Sequence, residues 1–280
     1  MNKLLSTLSL LIVYSVFSCN SGDTNQIVGV NNNEAVNSEN NDFTSDQVFQ
    51  TDWTTLTKDF NTWYSYTYYN VRLSDNFIGL DTDSTVIDKA TFLDKLKNGK
   101  VVAFKIEIRH GKPVYKLYKL KSDDESITST IKQMAATEME HFKMEGTEMP
   151  KYNFADLSGK TYDNSSTKGK IVVLKCWFIH CVACVKEFPE LNKLVQENEN
   201  RHDVLFISLA MDKKQDLINF LKTKGFKYAV IPEMKSFMID KMNITEFPTH
   251  ILIGRDGKIV KVVNKIEELI PFVKKEELKS

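Results

Sequence analysis

The sequence has no excess of charge of either sign and few of the residues that interrupt or cross-link a fold. Among its 280 residues, 37 Lys and Arg balance 37 Asp and Glu, and there are only four cysteines and six prolines. A balanced charge provides no long-range field for nucleic acid, so no nucleic-acid partner is expected. With 42% hydrophobic and 26% charged residues, the composition is typical of globular domains.

The hydrophobic run at the N-terminus is too short to span a bilayer. Lys3 precedes a mostly apolar stretch from Leu4 to Phe17, whereas a spanning helix needs roughly 20 residues. A positive residue before a short apolar run is typical of a cleaved secretory signal, which we predict at residues 1–18. We therefore expect the mature protein to lie in the cell envelope, facing the periplasm or the exterior, where disulfides persist.

The predicted signal ends at a cysteine that suits lipid attachment. Val16-Phe17-Ser18-Cys19 resembles a bacterial lipobox, in which a small residue directly precedes the lipidated cysteine. Residues 19–42 are rich in Asn, Ser, Gly and acidic residues and are predicted to form a flexible tether. We therefore expect a membrane anchor at Cys19, the alternative being an ordinary secretory signal with an incidental cysteine.

Residues 43–148 are predicted to form a small α+β domain whose role the sequence does not reveal. The predicted elements are an amphipathic helix over 49–63, a strand-like run over 64–71, a short helix closed by Gly99, a hairpin that turns at Gly111 and a helix over 125–143. The many Trp and Tyr residues could line a binding groove. Aromatic residues at helical and strand spacing are, however, more typical of a core.

Residues 149–280 show short apolar runs that alternate with helical patterns. The predicted strands are 171–177, 204–210, 249–253 and 258–263, with helices after the first two and at the C-terminus. Strands that alternate with helices, followed by a terminal hairpin and helix, indicate an α/β sheet of mixed direction.

The segment CWFIHCVACVKEFPELN, residues 176–192, contains three of the four cysteines. Cys181 and Cys184 lie where a buried strand is predicted to give way to a helix, whose unpaired N–H groups and dipole stabilise a thiolate. The ring that they close is too short to stabilise the fold by cross-linking. The pair therefore favours electron exchange, with Cys181 as the attacking thiol and Cys184 as the resolving thiol.

This region resembles the active site of extracytoplasmic thioredoxin-like proteins of the TlpA/ResA type. Trp177 matches the family's tryptophan four residues before the first cysteine, and Pro189 matches its helix-kinking proline. Glu246-Phe247-Pro248-Thr249-His250, just before a predicted strand, resembles the family's cis-proline loop. The resemblance covers about residues 150–280. It implies a thioredoxin-like α/β fold, which follows the smaller N-terminal α+β domain.

The resemblance also implies roles for individual residues. Glu187 matches the active-site glutamate of the ResA-like members and is expected to help deprotonate Cys184. An exposed helical residue is the alternative interpretation of Glu187. The residues expected to contact the substrate are Trp177, His180, Phe247, Pro248 and Thr249.

One position departs from the thioredoxin pattern. Thioredoxins place a buried carboxylate six residues before the first cysteine, where this chain has Lys175. Lys175 could lower the pKa of the thiol or point to solvent at the edge of the strand. The dipeptide Val182-Ala183 lacks the histidine of strongly oxidising relatives, which favours a reducing or neutral redox potential. A charged His180 could partly replace that histidine.

Two other kinds of site fit the cysteine pattern less well. A zinc site would use Cys176, His180, Cys181 and Cys184, but tetrahedral sites usually draw on two separated ligand pairs. No metal is therefore expected, and Cys176 is interpreted as an inert core residue. A peroxiredoxin-like peroxidase would need Pro-x-x-x-Thr-x-x-Cys, and Phe178 stands three residues before Cys181 where the threonine should be.

The sequence thus predicts a membrane-tethered thiol–disulfide oxidoreductase that reduces disulfides through Cys181 and Cys184. Its expected partners are protein or peptide disulfides, a membrane thiol that donates electrons, and the membrane itself. No cofactor is expected, because thiol exchange needs none. The alternative from another class is a lipid-anchored binding protein whose CxxC is structural or vestigial.

Overall fold

The computed structural model describes residues 47–49, 52–121 and 124–279. The predicted signal at 1–18, the tether at 19–42 and the lipidation site Cys19 lie outside the described residues. Within the described part of the chain, no helix is both long enough and apolar enough to cross a membrane.

The N-terminal part contains a five-stranded sheet covered by helices. Its elements are β1 Gln47–Val48, α1 Trp53–Leu56, α2 Phe60–Asn70, β2 Ile78–Leu80, β3 Val86–Ile87, α3 Lys89–Lys97, β4 Val101–Arg109, β5 Lys112–Lys119 and α4 Glu125–Met144. The strands lie in the order β1-β4-β5-β2-β3. Its core includes the fully buried side chains of Phe92 on α3, Phe104 on β4 and Ile127 on α4. The predicted α+β architecture is therefore confirmed.

The prediction of a strand at 64–71 is wrong, and the predicted helix over 49–63 is interrupted. Asp52 and Asp59 each accept backbone N–H bonds of the first helical turn, at the start of α1 and α2 respectively. Each aspartate therefore begins a new helix. The aromatic run belongs to α2, which buries Trp63 and Thr67 four residues apart on one face. Helical spacing of the buried positions outweighs the strand preference of tyrosine.

The C-terminal part contains a second five-stranded sheet. The elements of this part are β6 Asn153–Ala155, β7 Thr161–Asp163, β8 Ile171–Trp177, α5 Val182–Lys186, α6 Phe188–Glu197, β9 Val204–Ala210, α7 Lys214–Leu221, β10 Ala229–Ile231, a π-helix Phe237–Lys241, β11 Thr249–Ile253, β12 Ile259–Val263 and α8 Ile266–Glu277. Strands β6 and β7 pair as a separate two-stranded sheet, and the other five strands form the large sheet. The order is β10-β9-β8-β11-β12, and β8 pairs parallel with β9 and antiparallel with β11. This mixed sheet confirms the predicted thioredoxin-like α/β fold.

Strand β8 is buried on both faces, because helices cover one face of the sheet and a second apolar layer covers the other. Val173 and Trp177 pack with buried residues of α5, α6 and α8. Val172, Leu174 and Cys176 pack in the opposite layer. Because side chains alternate along a strand, Lys175 lies on the helix-covered face and Cys176 on the other.

Helix α4 and the residues after it run beside β12, the edge strand of the second sheet. The Gly146 N–H donates to the Ile259 carbonyl at 2.7 Å, and the Ile259 N–H donates to the Thr147 carbonyl at 2.8 Å. In the first half of α4, the Gln133 side-chain amide donates to the Glu246 carboxylate at 3.1 Å. The N-terminal part therefore covers an otherwise open sheet edge and reaches the loop that contains Pro248.

Candidate active site

Cys181 and Cys184 form a disulfide at the N-terminus of α5, directly after the end of β8. The Sγ of Cys181 accepts the Cys184 N–H at 3.2 Å, so the N-terminal cysteine serves as the cap of the helix. Cys184 is fully buried, whereas Cys181 keeps 7% of its surface exposed. The exposed neighbours Val182 and Ala183 leave Cys181 at the surface of the molecule. An incoming thiol or disulfide therefore reaches Cys181 before Cys184.

Helix α5 ends after one and a half turns, and Glu187 lies at the break. Pro189 is the second residue of α6 and has no N–H to donate to the preceding turn. Glu187 is therefore the single residue between the two helices, the C-cap of α5 and the N-cap of α6. Its side chain is turned towards the sheet, where it meets β8 and β11.

The Glu187 carboxylate lies at the centre of a buried polar cluster. Its Oε2 atom is 2.5 Å from the Lys175 Nζ and 3.0 Å from the His250 Nε2. Its Oε1 atom accepts the Ile266 N–H at 3.2 Å, from the start of α8. Lys175 and His250 are neighbours across β8 and β11 and are fully buried, while 14% of the Glu187 side chain is exposed.

The three groups shift one another's protonation. Burial raises the pKa of Glu187, but hydrogen bonds and charge from His250 and Lys175 outweigh it and bring that pKa to about 2. Burial lowers the pKa of Lys175 against the opposing effect of Glu187. Burial, together with the charge of Lys175, lowers the pKa of His250. At neutral pH the cluster therefore holds an ionised Glu187 beside a neutral imidazole.

The loop around Pro248 packs against the segment that precedes Cys181. The peptide bond between Phe247 and Pro248 is cis, and the Phe247 ring meets the Phe178 ring edge-on with 5.6 Å between centroids. The Asn264 side-chain amide donates to the Pro248 carbonyl at 2.8 Å, and the Thr249 hydroxyl donates to the Glu246 carbonyl at 2.6 Å. Among the described residues, no hydrogen bond involves the main chain of Phe247.

The five residues predicted to contact a substrate fall into two groups. His180 is exposed and Phe247 is partly exposed, so both present surface beside the disulfide. Trp177 and Thr249 are fully buried, and the Trp177 ring packs edge-on against Phe188. These two side chains therefore support the site from inside and offer no surface to a substrate. Pro248 is also buried.

The polar cluster was not predicted from the sequence. Lys175 does not point to solvent, and Glu187 is not an exposed helical residue, because each neutralises the other's buried charge. His250 was not predicted to be a site residue, since a histidine in an apolar strand gives no signal of its own. Asp212 was also missed: its carboxylate accepts the Ile179 N–H at 2.8 Å and holds the segment before Cys181.

Cys176 is separated from the disulfide by the sheet. It is fully buried in the opposite apolar layer, and burial raises the pKa of its thiol to about 12. It therefore does not reach Cys181 or Cys184 to share a metal with them. In the part of the chain that the structure describes, no three His, Cys, Asp or Glu side chains cluster as metal ligands do.

Comparison with known proteins finds a family match in the C-terminal part and relatives among thiol-disulfide oxidoreductases. Residues 145–262 match the model of the AhpC/TSA family. The chain is 31% identical over 120 residues to the thiol-disulfide oxidoreductase ResA of Bacillus subtilis, which covers 42% of this chain and 66% of that protein. It is 32% identical over 138 residues to ResA of Bacillus thuringiensis subsp. konkukian, covering 48% of this chain and 79% of that protein.

Solved structures align with just under half of the chain. The thioredoxin domain of a thiol-disulfide oxidoreductase from Bacteroides vulgatus aligns at 24% identity and a TM-score of 0.43, over 47% of this chain and 96% of that one. The exposed lipoprotein thioredoxin Etrx1 of Streptococcus pneumoniae aligns at 23% identity and a TM-score of 0.39, over 45% of this chain and 99% of that one. The 32% identity over 79% of the Bacillus thuringiensis protein shows that this chain belongs to the ResA family of thiol–disulfide oxidoreductases.

Proposed function

We propose that this protein is a membrane-tethered enzyme that reduces disulfides of proteins or peptides outside the cytoplasm. The observation that carries the proposal is the disulfide at the start of α5, with a more exposed Cys181 and a fully buried Cys184. Such asymmetry suits a pair in which one sulfur meets the substrate and the other completes the exchange. The Phe247–Pro248 loop beside the disulfide supports the proposal further.

The first step is attack by the Cys181 thiolate on a substrate disulfide. A new S–S bond forms to Cys181, the substrate S–S bond breaks, and the other substrate sulfur leaves as a thiolate. The Cys184 N–H, which already donates to the Cys181 sulfur in the disulfide, stabilises the attacking thiolate. The substrate is now held as a mixed disulfide.

The second step releases the substrate. The Cys184 thiol loses its proton to the cluster around Glu187, and its thiolate attacks the Cys181 sulfur. The Cys181–Cys184 bond forms, the mixed disulfide breaks, and the substrate leaves with both sulfurs reduced. The enzyme is left oxidised, so a membrane thiol donor must return two electrons to it; no cofactor takes part.

Substrate contact is proposed at the loop that precedes β11. The main chain of Phe247 has no hydrogen bond among the described residues, so it is free to pair with an extended substrate segment as an added strand. Phe247 and His180 would contact the side chains that flank the substrate disulfide. Pro248, Thr249 and Trp177 would support this surface from within.

The cellular part of the proposal rests on sequence. A lipid on Cys19 would hold the enzyme at a membrane, and residues 19–42 would let the folded part reach its substrates. The reducing direction is supported by Val182-Ala183, which lacks the histidine that stabilises the thiolate in strongly oxidising relatives.

Trapping the mixed disulfide tests the proposed function. A Cys184→Ser variant should accumulate substrate bound to Cys181 when it is mixed with an oxidised protein, and a Cys181→Ser variant should bind none. Failure of Cys184→Ser to trap any oxidised protein would contradict the mechanism. If a Cys181→Ser/Cys184→Ser variant kept the protein's function in its host, the lipid-anchored binding protein would be indicated instead. Peroxide consumption that matches the rate of disulfide reduction would indicate a peroxidase.

A further inference from the structure

We propose that His250, held by Glu187, is the group that accepts the proton of Cys184, and that Lys175 sets the pH range in which it does so. The inference rests on the proposed function, because it assigns one atom to the proton transfer in the second step. It departs from the expectation that Glu187 itself is the proton acceptor. Three observations on the polar cluster support it.

First, Glu187 is poorly suited to take a proton. Its Oε2 atom already accepts hydrogen bonds from Lys175 and His250, and its Oε1 atom accepts the Ile266 N–H. These contacts stabilise the ionised form and bring the pKa of Glu187 to about 2. A carboxylate of such low basicity is a weak acceptor for a thiol proton, since efficient transfer needs an acceptor with a pKa nearer the working pH.

Second, His250 offers a lone pair that nothing else uses. Its Nε2 atom lies 3.0 Å from the ionised Glu187 carboxylate, so the neutral ring carries its proton on Nε2 and donates it there. The Nδ1 atom then carries the lone pair, and this buried atom has no hydrogen-bond partner among the described residues. A carboxylate on one ring nitrogen fixes the tautomer and stabilises the imidazolium that forms when the other nitrogen takes a proton.

Third, His250 lies on the side of the sheet where the buried thiol is. It follows Pro248 by two residues and shares a face of β11 with Leu252, which belongs to the same apolar layer beneath the helices as Cys184. Across the sheet it pairs with Lys175, two residues before Trp177. The cluster and Cys184 therefore share one water-poor layer, in which a proton transfer is confined to a few groups.

The charges that face His250 have opposite effects on its basicity. Lys175 on β8 disfavours the imidazolium, while Glu187 between α5 and α6 and Glu267 on α8 favour it. The neighbour on β12 is Val263, which is apolar. We therefore treat Lys175 and Glu187 as positioning residues that act through His250.

The proposed step moves one proton within the enzyme and two electrons to the substrate. The Cys184 thiol gives its proton to the His250 Nδ1, leaving a thiolate and an imidazolium. The thiolate attacks the Cys181 sulfur, the enzyme disulfide forms, and the substrate sulfur departs as a thiolate. The imidazolium then returns its proton to that thiolate or to water, so the enzyme loses two electrons and the substrate gains two.

The lifetime of the mixed disulfide across pH tests the inference. Reduced enzyme is mixed with a model peptide disulfide, quenched in acid at set times from pH 4 to 9, alkylated, and weighed by mass spectrometry. Below the pKa of His250, we expect the rate at which Cys184 resolves the mixed disulfide to fall tenfold per pH unit, because protonated imidazole accepts no proton. This fall is the acidic limb of the pH profile. His250→Gln should lose this acidic limb and resolve about a hundredfold more slowly at neutral pH, whereas the matched control His202→Gln, at an exposed histidine, should behave like the parent.

Two further variants separate a catalytic from a merely structural role. Glu187→Gln removes the charge that favours the imidazolium and should shift the acidic limb to lower pH. Lys175→Met removes the charge that opposes it and should shift the limb to higher pH. A structural defect would lower the rates at every pH and would not move the limb in opposite directions.

The unaltered protein provides a measurement that does not depend on folding of variants. ¹⁵N chemical shifts of the His250 ring should show a proton on Nε2 and none on Nδ1 at neutral pH. A proton on Nδ1, or an acidic limb that persists in His250→Gln, would overturn the inference. If the mixed disulfide never forms, the proposed function fails; if it forms and resolves without these pH shifts, only the assignment to His250 fails.

Discussion

The Lys175 ammonium and the Glu187 carboxylate are 2.5 Å apart on the face of the sheet that also buries Cys184. Thioredoxins have a carboxylate where this chain has Lys175, so the charges of the pair are exchanged: the cation lies on the strand and the anion lies at the helix break. The pair retains a carboxylate near the resolving cysteine and adds a cation that neutralises it.

This arrangement predicts how stability responds to substitution of the pair. Lys175→Met leaves a mostly buried carboxylate without its cation and should lower the free energy of unfolding of the oxidised protein by about 3 kcal/mol. The double variant Lys175→Met/Glu187→Gln removes both charges and should lose less than the sum of the single variants. Denaturant unfolding at pH 7 measures both quantities, and additive losses would contradict the coupling.

A second histidine, His141 on α4, predicts acid sensitivity away from the active site. Burial lowers its pKa to about 4, so the folded protein keeps it neutral while the unfolded chain protonates it near pH 6.5. The unfolded state therefore binds more protons in this window, and about 3 kcal/mol of stability should be lost as the pH falls from 6.5 to 4.

The variant His141→Gln isolates this contribution. Its free energy of unfolding should fall less steeply with decreasing pH between 6.5 and 4. His250 acts in the same direction as His141, because its pKa is also lowered. Glu187, with a pKa of about 2, adds its loss only below its ordinary pKa of 4.5. An unchanged slope in His141→Gln would show that His141 is not buried and neutral.

Cys176 should be chemically silent in the folded protein. It is fully buried on the face of β8 that points away from the disulfide, and the raised pKa leaves its thiol protonated. In the segment 47–279 of the oxidised protein, a maleimide should therefore label no cysteine until denaturant is added, and then one. Cys176→Ala should retain disulfide reduction, and a loss of turnover with an intact fold would contradict this prediction.

Phe247 should matter more for protein substrates than for small ones. Phe247→Ala removes the edge-on contact with Phe178 and part of the proposed contact surface, at a cost of about 0.5–1.5 kcal/mol for the ring pair alone. We expect kcat/KM for an oxidised protein to fall about tenfold, with a smaller change for a low-molecular-weight disulfide. The matched control is Phe49→Ala, directly after β1, which should leave both rates unchanged. Equal losses for both substrates in Phe247→Ala would argue against substrate contact.

Much of the fold was predictable because local signals agree with the global structure. The run Ile171–Trp177 is fully apolar except for Lys175 and forms β8 with those bounds. The position of Pro189 predicted a kinked helix, and α5 and α6 separate there because proline cannot continue the hydrogen-bond ladder. The Asp256-Gly257 turn likewise predicted the hairpin that joins β11 and β12.

The polar cluster was not predictable in the same way. Lys175, Glu187 and His250 lie 12 and 63 residues apart in sequence, and each is an ordinary residue in its own segment. Their burial is tolerable only because they face one another across two strands and a helix break. No local pattern carries that information. Two roles were therefore possible for Lys175 from the sequence, and none was predicted for His250.

The reduction potential of the Cys181–Cys184 pair tests the central claim most directly. The protein would be equilibrated in glutathione or dithiothreitol buffers, and its thiols trapped and counted by mass spectrometry. The reduction potential of thioredoxin is about −270 mV and that of the oxidant DsbA is about −120 mV, a gap of about 7 kcal/mol for two electrons. The account predicts a value close to that of thioredoxin, as a reductant fed by a membrane thiol requires; a value close to that of DsbA would contradict it.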